Sequence, residues 1–237
     1  MGKNIKAIFF DLDGTLLPMD QEVFAKAYFG ALVKNLATRG YAPDALIKTV
    51  WAGTEAMIKN DGSVTNEEAF WQTFCSSFGE GAIKEREALE DFYKTDFEAV
   101  KKSVGFLPSA KHTVDKLSSL GIRLILATNP IFPAVATHAR IRWAGLEREK
   151  FEYVTTYENS HFAKPNLAYY REILSATGLS ADECLMVGND AHEDMVAEEL
   201  GMRVFLLTEC LINKTGKDLA KYPSGNLDDL MHFITQK

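Results

Sequence analysis

The residues Ile5-Lys6-Ala7-Ile8-Phe9-Phe10 run without a break into Asp11-Leu12-Asp13-Gly14-Thr15, and this junction constrains the chain more than any other stretch. A short run rich in β-branched and aromatic side chains, bounded by a polar turn, reads as a buried strand. Gly14 lets the backbone turn just beyond it. Two carboxylates set against such a strand are costly unless a cation or strong hydrogen bonds compensate them. Magnesium, as Mg2+, suits them because it takes hard oxygen ligands and commonly retains waters while bridging a phosphate. With the charge neutralised, one aspartate can attack phosphorus as a covalent nucleophile. The other can give a proton to the leaving oxygen and later take one from water.

Beyond that strand the pattern changes. Helical periodicity runs over Glu22 to Arg39, Pro43 to Lys59, Glu67 to Phe78 and Lys84 to Lys102, with Gly40, Gly62 and Gly79 as stops. Thr65 and Glu68 stand at capping-box spacing. After Leu107-Pro108 helices and strands alternate. Strands are expected at Arg123 to Ala127, Tyr153 to Thr156, Cys184 to Val187 and Arg203 to Leu207. Helices are expected at Ser109 to Leu120, Val135 to Trp143, Leu167 to Thr177, Glu193 to Leu200 and Asn226 to Thr235, the last with an Asn cap. Alternation of this kind implies crossover units and a parallel sheet. The fold class is therefore α/β: a Rossmann-like, doubly wound parallel sheet core formed by residues 1–17 and 106–237, with an inserted α-helical cap at 18–105. Open parallel sheets bind ligands at the carboxyl ends of their strands. There the chain carries Asp11 and Asp13, Thr128-Asn129, and Gly188-Asn189-Asp190.

Composition narrows the function. The chain has 237 residues, 46% hydrophobic and 25% charged, which suits a folded core rather than disorder. A formal charge of −7 gives no overall attraction to nucleic acid or anionic lipid, so neither is expected as a partner. No run approaches the roughly 20 apolar residues of a membrane span, and the N-terminus reaches its charged motif too early for a signal peptide. A cytoplasmic protein is expected. Cys75, Cys184 and Cys210 are odd in number and scattered, and read as reduced thiols.

Four motifs in order along essentially the whole chain resemble those of the haloacid dehalogenase superfamily of hydrolases. The first is Asp11-Leu12-Asp13-Gly14-Thr15, the second Leu126-Ala127-Thr128-Asn129, the third Lys164-Pro165, and the fourth Val187-Gly188-Asn189-Asp190-Ala191-His192-Glu193-Asp194. The resemblance implies that Asp11 is the nucleophile, Asp13 the acid and base, and Thr128 a hydrogen-bond donor to the phosphoryl group. Lys164 would balance the nucleophile's charge and hold the phosphate, with Asn129 beside it at the substrate. Asp11 and Asp13 would hold Mg2+ together with the fourth motif. The family's commonest form has an aspartate directly after the glycine, where this chain has Asn189. Two registers follow: Asp190 with Asp194, or Asn189 with Asp194. Asp190 is favoured as the direct ligand because a carboxylate offsets metal charge and an amide does not.

The expected activity is magnesium-dependent hydrolysis of a small phosphorylated metabolite through an aspartyl-phosphate. A phosphosugar mutase would use the same motifs and differ only in the fate of the phosphoryl group. A non-catalytic phosphate-binding protein is the third reading. Dehalogenation is disfavoured because family dehalogenases lack the aspartate that Asp13 represents. The inserted helices resemble the family's cap, which would carry substrate choice. His161 and His192 read as loop histidines. Trp51, Trp71 and Trp143 read as core, and His138, Arg140, Arg142 and Arg148 as a solvated helix face.

Overall fold

In the computed structural model, which describes residues 5–235, Ala7–Phe10 forms strand β1, buried along its whole length. Residues 1–4 and 236–237, placed by the sequence at the two ends of the core, lie outside the described residues. Four helices follow: α1 (Gln21–Ala37), α2 (Pro43–Ile58), α3 (Asn66–Phe78) and α4 (Glu85–Lys94). The α/β alternation then runs α5 (Pro108–Ser119), β2 (Arg123–Leu126), α6 (Ala134–Trp143), β3 (Tyr153–Val154), α7 (Leu167–Thr177), β4 (Cys184–Gly188), β5 (Arg203–Leu207), β6 (Ser224–Gly225) and α8 (Leu227–Thr235). The six strands form one sheet in the order β3-β2-β1-β4-β5-β6, and every pairing is parallel.

Period-2 alternation sorts the strand side chains onto two faces. Ile8, Phe10, Leu124, Leu126, Leu185, Val187, Phe205 and Leu207 join one buried cluster with residues of α5, α6 and α8. Ala7, Phe9, Ile125, Met186, Val204 and Leu206 join a second with Tyr169, Tyr170 and Ile173 of α7. Because both faces are covered, a slip of one residue in β1 would exchange its two sets of neighbours, and burial fixes the register. β1 lies between β2 and β4, where the strand order reverses, so its carboxyl end opens at the crevice of a doubly wound sheet.

The helical segment between β1 and α5 follows its local signals. Asp20 caps α1 by accepting from the amides of Glu22 and Val23, Pro43 opens α2, and Thr65 and Glu68 complete a capping box on α3. The single helix expected over Lys84 to Lys102 is instead broken at Thr95. The Thr95 hydroxyl donates back to the carbonyl of Asp91 at 2.7 Å, its backbone leaves the helical region, and a 3-10 stretch follows over Asp96–Ser103. The helix expected from Glu193 is likewise a 3-10 stretch over Met195–Leu200. The two crossings into and out of the helical segment touch: Met19 bridges Val104, and the amide of Gly105 donates to the carbonyl of Pro18 at 2.7 Å. At the other end Asn226 caps α8 through the amides of Asp228 and Asp229, as its side chain suggested. Among the described residues no helix is long and apolar enough to cross a membrane.

Candidate active site

β1, β2 and β4 end side by side, so the residues just past them meet although they are far apart in sequence. Asp11 follows β1, and its amide donates to the carbonyl of Val187 at 2.9 Å. Its carboxylate has partners on both oxygens. Lys164, on the loop before α7 and 1% exposed, donates from Nζ to Asp11 Oδ1 at 2.9 Å and to Asp194 Oδ1 at 2.6 Å. Thr15 Oγ1 lies 3.1 Å from Asp11 Oδ2 and 3.0 Å from Asn189 Oδ1, and its one proton can serve only one of them. Burial opposes the Lys164 charge, but the Asp11 and Asp194 carboxylates outweigh it and hold the ammonium well above its ordinary pKa.

Two glycines let these loops close. A Cβ on Gly188 would stand 2.0 Å from Asp194 Oδ2, so only glycine leaves room for that carboxylate. Gly14 has φ +87°, and a Cβ there would lie 2.3 Å from Asn189 Nδ2. The first and fourth motifs therefore touch through a glycine and an amide. Asn189 is further fixed by donating to the carbonyl of Cys210 at 2.7 Å. Asn129 ties the second motif to the others: its Nδ2 donates to Glu193 Oε2 at 3.1 Å, and its Oδ1 accepts from the Lys164 amide at 3.2 Å. The carbonyl of Thr128 accepts from Thr155 Oγ1 at 2.6 Å and from the Tyr169 hydroxyl at 2.9 Å, which anchors the loop that carries its side chain.

Asp13 has a partner that the sequence did not suggest. Arg140, in α6 and 1% exposed, donates from Nη1 to Asp13 Oδ2. Its guanidinium also lies 4.4 Å from the centre of the Phe132 ring. The reading of His138, Arg140, Arg142 and Arg148 as a solvated face is thus corrected at Arg140, while Arg142 is exposed. The signal was available. Arg140 shares the buried stripe of Ala136 and Trp143, at helical spacing, and a charge on such a stripe demands a partner. Burial pushes the Asp13 carboxyl up to about 6, with Arg140 pulling it back down. Burial likewise raises Asp194 to about 6 against Lys164. Glu193, which no motif reading had singled out, is raised to about 7 by burial, with the Asp194, Asp190 and Asp11 carboxylates adding to the rise.

These groups form one end of a cavity of about 640 Å³. Asp11, Asp13, Thr128, Asn129, Asn189, Asp190, Glu193 and Asp194 all line it. Trp51 and Trp71 do as well, and the expectation that all three tryptophans are core is corrected at Trp51, which is 53% exposed. His161 pairs with Glu172, and His192 is exposed.

The carboxylates outnumber the cations here, with Asp11, Asp13, Asp190, Glu193 and Asp194 facing Lys164 and Arg140. Among the described residues no three His, Cys, Asp or Glu groups converge as a metal cage. That suits Mg2+, which is usually held by one or two carboxylates with water and phosphate completing its shell. Oxygens are available for it. Asp13 Oδ1 is buried with no hydrogen-bond partner, and Asp11 Oδ2 and Asn189 Oδ1 share a single hydroxyl proton. Of the two registers, the geometry sets Asn189 against the Asp11–Thr15 pair. Asp190 Oδ1 is instead occupied in a turn by the amides of His192 at 2.7 Å and Glu193 at 3.0 Å. Asp194 faces Lys164 and the Asp190 amide.

Known proteins resemble this chain over most of its length. Residues 5–200 match the family of haloacid dehalogenase-like hydrolases. A phosphoglycolate phosphatase of Yersinia pestis is 27% identical over 208 residues, covering 87% of this chain and 82% of its own. A glyceraldehyde 3-phosphate phosphatase of Methanothermobacter thermautotrophicus is 26% identical over 225 residues, covering 91% and 94%. Among solved structures, a HAD phosphatase from Thermococcus onnurineus superposes with a TM-score of 0.60 at 18% identity, covering 97% of this chain and 98% of its own. A 2-haloacid dehalogenase from Pseudomonas syringae gives 0.61 at 23%, covering 96% and 97%. At these identities the structural likeness speaks for the fold alone.

Proposed function

This chain belongs to the haloacid dehalogenase-like hydrolase family, and we propose that it is a magnesium-dependent phosphatase acting on a small-molecule phosphate monoester through an aspartyl-phosphate at Asp11. One observation carries the reading. The Asp11 carboxylate, held between Lys164 and Thr15, lines the same cavity as a second carboxylate, Asp13, which burial pushes up to about 6. A carboxylate fixed by a lysine and a hydroxyl supplies the nucleophile, and a second one on the same loop, able to take up a proton near neutral pH, supplies the proton carrier.

In the first half-reaction an Asp11 oxygen forms a bond to phosphorus as the bond to the leaving oxygen breaks, and Asp13 gives that oxygen its proton. In the second, Asp13 takes a proton from water, the water oxygen bonds to phosphorus, and the Asp11–phosphorus bond breaks to release inorganic phosphate. Thr128 and Lys164 hold the phosphoryl oxygens, with Asn129 positioning both loops. Arg140 is a positioning residue that orients Asp13 from behind. Asp11 and Asn189 would hold Mg2+, with Asp13, Asp190 and Asp194 at its margin. When bound, the ion offsets the negative charge gathered on the phosphoryl group and carboxylates.

The helices of residues 18–105 serve as a cap over the core formed by residues 1–17 and 106–237. The paired crossings at Met19 and Val104 are suited to a hinge. The relatives' names favour hydrolysis over phosphosugar rearrangement, and a small phosphorylated metabolite as substrate. The free thiols Cys75, Cys184 and Cys210 suit the cytoplasm. The test is phosphate release from a panel of phosphate monoesters, with and without Mg2+, by the native protein and by Asp11→Asn. Release should need Mg2+ and fall at least about a thousandfold in the variant. Near-normal turnover by Asp11→Asn would end the covalent mechanism, and sugar-phosphate rearrangement without phosphate release would favour the mutase.

A further inference from the structure

We propose that the leaving group of the substrate is a bulky, uncharged, ring-bearing alcohol rather than a two- or three-carbon acid or aldehyde. This rests on the phosphatase reading above and concerns what lies beyond the phosphate.

The cavity does not end at the strand tips. At about 640 Å³ it falls within the roughly 300–1,000 Å³ that drug-sized ligands fill. Past the carboxylates its walls are aromatic: Phe24 and Tyr28 of α1, Trp51 of α2, Trp71 of α3, Tyr93 of α4, and Phe132 before α6. These rings come from four separate helices and one loop, yet they face one space. Several already pack edge to face, as Tyr28 does on Phe132 at 5.4 Å and 77°. A flat apolar group entering this space gains both area burial and ring contacts. Trp51, half out of the core at 53% exposure, is an apolar surface that such a group would cover.

The charges in the cavity argue in the same direction. A substrate carrying a carboxylate would need a cation in this arm, and the cations on its lining are Arg86 and Lys214. Arg86 is engaged by Glu67. Lys214 is exposed on the loop after β5, beside the bridge between Asp190 and Ile212, and its ammonium lies 3.4 Å from Gln21 Oε1. Glu158, whose carboxylate accepts from the Ala134 amide, also lines the cavity and would repel an acid. The polar contact the arm offers is neutral. The Tyr28 and Tyr93 hydroxyls are bonded to each other at 2.8 Å and are kept protonated by burial. A ring with at most an uncharged polar substituent matches this arm, and a short polar acid leaves most of it unfilled.

The test compares 2-phenylethyl phosphate with glycerol 3-phosphate and 2-phosphoglycolate, all esters of primary alcohols, so that the bond broken is alike. The native protein with Mg2+ should show kcat/KM at least about tenfold higher for the phenylethyl ester, with the gain mainly in KM. Ala25→Trp, on the half-buried side of α1 that lines the cavity, should fill the arm and erase that ratio. A parallel calorimetric titration of Asp11→Asn with the same esters reads preference without turnover and should show the same order. Asp11-dependent hydrolysis that favours either small ester overturns this inference and leaves the phosphatase reading intact. Hydrolysis of none of the three overturns the phosphatase reading for these esters, and the titration then decides the inference alone. Equal or reversed binding refutes it.

Discussion

Glu193 offers the sharpest physical test of the site, because its carboxyl is shifted by its surroundings and the hydrogen bond it accepts from Asn129 survives an isosteric change. Burial, with the nearby Asp194, Asp190 and Asp11 carboxylates, moves it from an ordinary 4.5 to about 7. A carboxyl raised in the folded state contributes stability that is complete below about 4.5 and is lost as pH rises through about 7. At about 1.36 kcal/mol per pH unit, that difference is worth about 3 kcal/mol at most, and about 2 kcal/mol once partial solvent contact is discounted. In Glu193→Gln the acceptor for Asn129 Nδ2 remains, but the carboxylate that must ionise above neutral pH is gone. The variant should therefore match the native protein at pH 4.5 and be about 2 kcal/mol more stable at pH 8, a rise in Tm of roughly 4–8 °C for a chain of this size. Urea and thermal unfolding, both in the presence of a chelator, would measure it. A stability difference that is the same at both pH values, or a variant weaker at pH 8, would refute the assignment of the shift to burial among carboxylates.

Other outcomes follow from the same geometry. Arg140→Met leaves Asp13 without its counter-charge and should cost about 3 kcal/mol in urea unfolding at pH 7.5. The loss should shrink at pH 5, where Asp13, raised to about 6, becomes protonated. Gly188→Ala forces a Cβ to within 2.0 Å of Asp194 Oδ2 and should displace the Asp194–Lys164 pair, lowering kcat by at least about a hundredfold with stability reduced by about 2–3 kcal/mol. Asn189→Leu should raise the Mg2+ concentration needed for half-maximal phosphate release by about tenfold or more, while Asp190→Asn, whose side chain can still accept from the His192 amide, should change it little. The reverse order would make Asp190 the direct ligand.

Much of this was readable along the chain because the signals are local. The apolar run before Asp11 became β1, the hydroxyl and carboxylate at Thr65 and Glu68 became a capping box, and the 108–235 alternation became a parallel sheet. Each depends on neighbours within a few residues, where backbone hydrogen bonding and side-chain periodicity are decided. β6 escaped notice because two residues, Ser224 and Gly225, hold no periodicity of their own and exist as a strand only against β5. The break at Thr95 was hidden for a related reason. A hydroxyl that bonds back to its own helix competes with continuation only by a small margin, and tertiary packing settles it.

The sequence by itself determined the kinds of chemistry available: two carboxylates after a buried strand, then a threonine, a lysine and an acidic loop, in an order that places all but the lysine at strand ends. Only the tertiary structure decided which of these groups face one another. It set Asn189 rather than Asp190 against Asp11, because Gly14 leaves room for an amide there while the backbone claims the Asp190 carboxylate. It turned Arg140 inward to Asp13 and brought rings from four helices around one cavity. Those contacts join residues as far as 174 positions apart, and at such separations partners are chosen by shape and by the cost of leaving a buried charge unpaired, neither of which a linear pattern records.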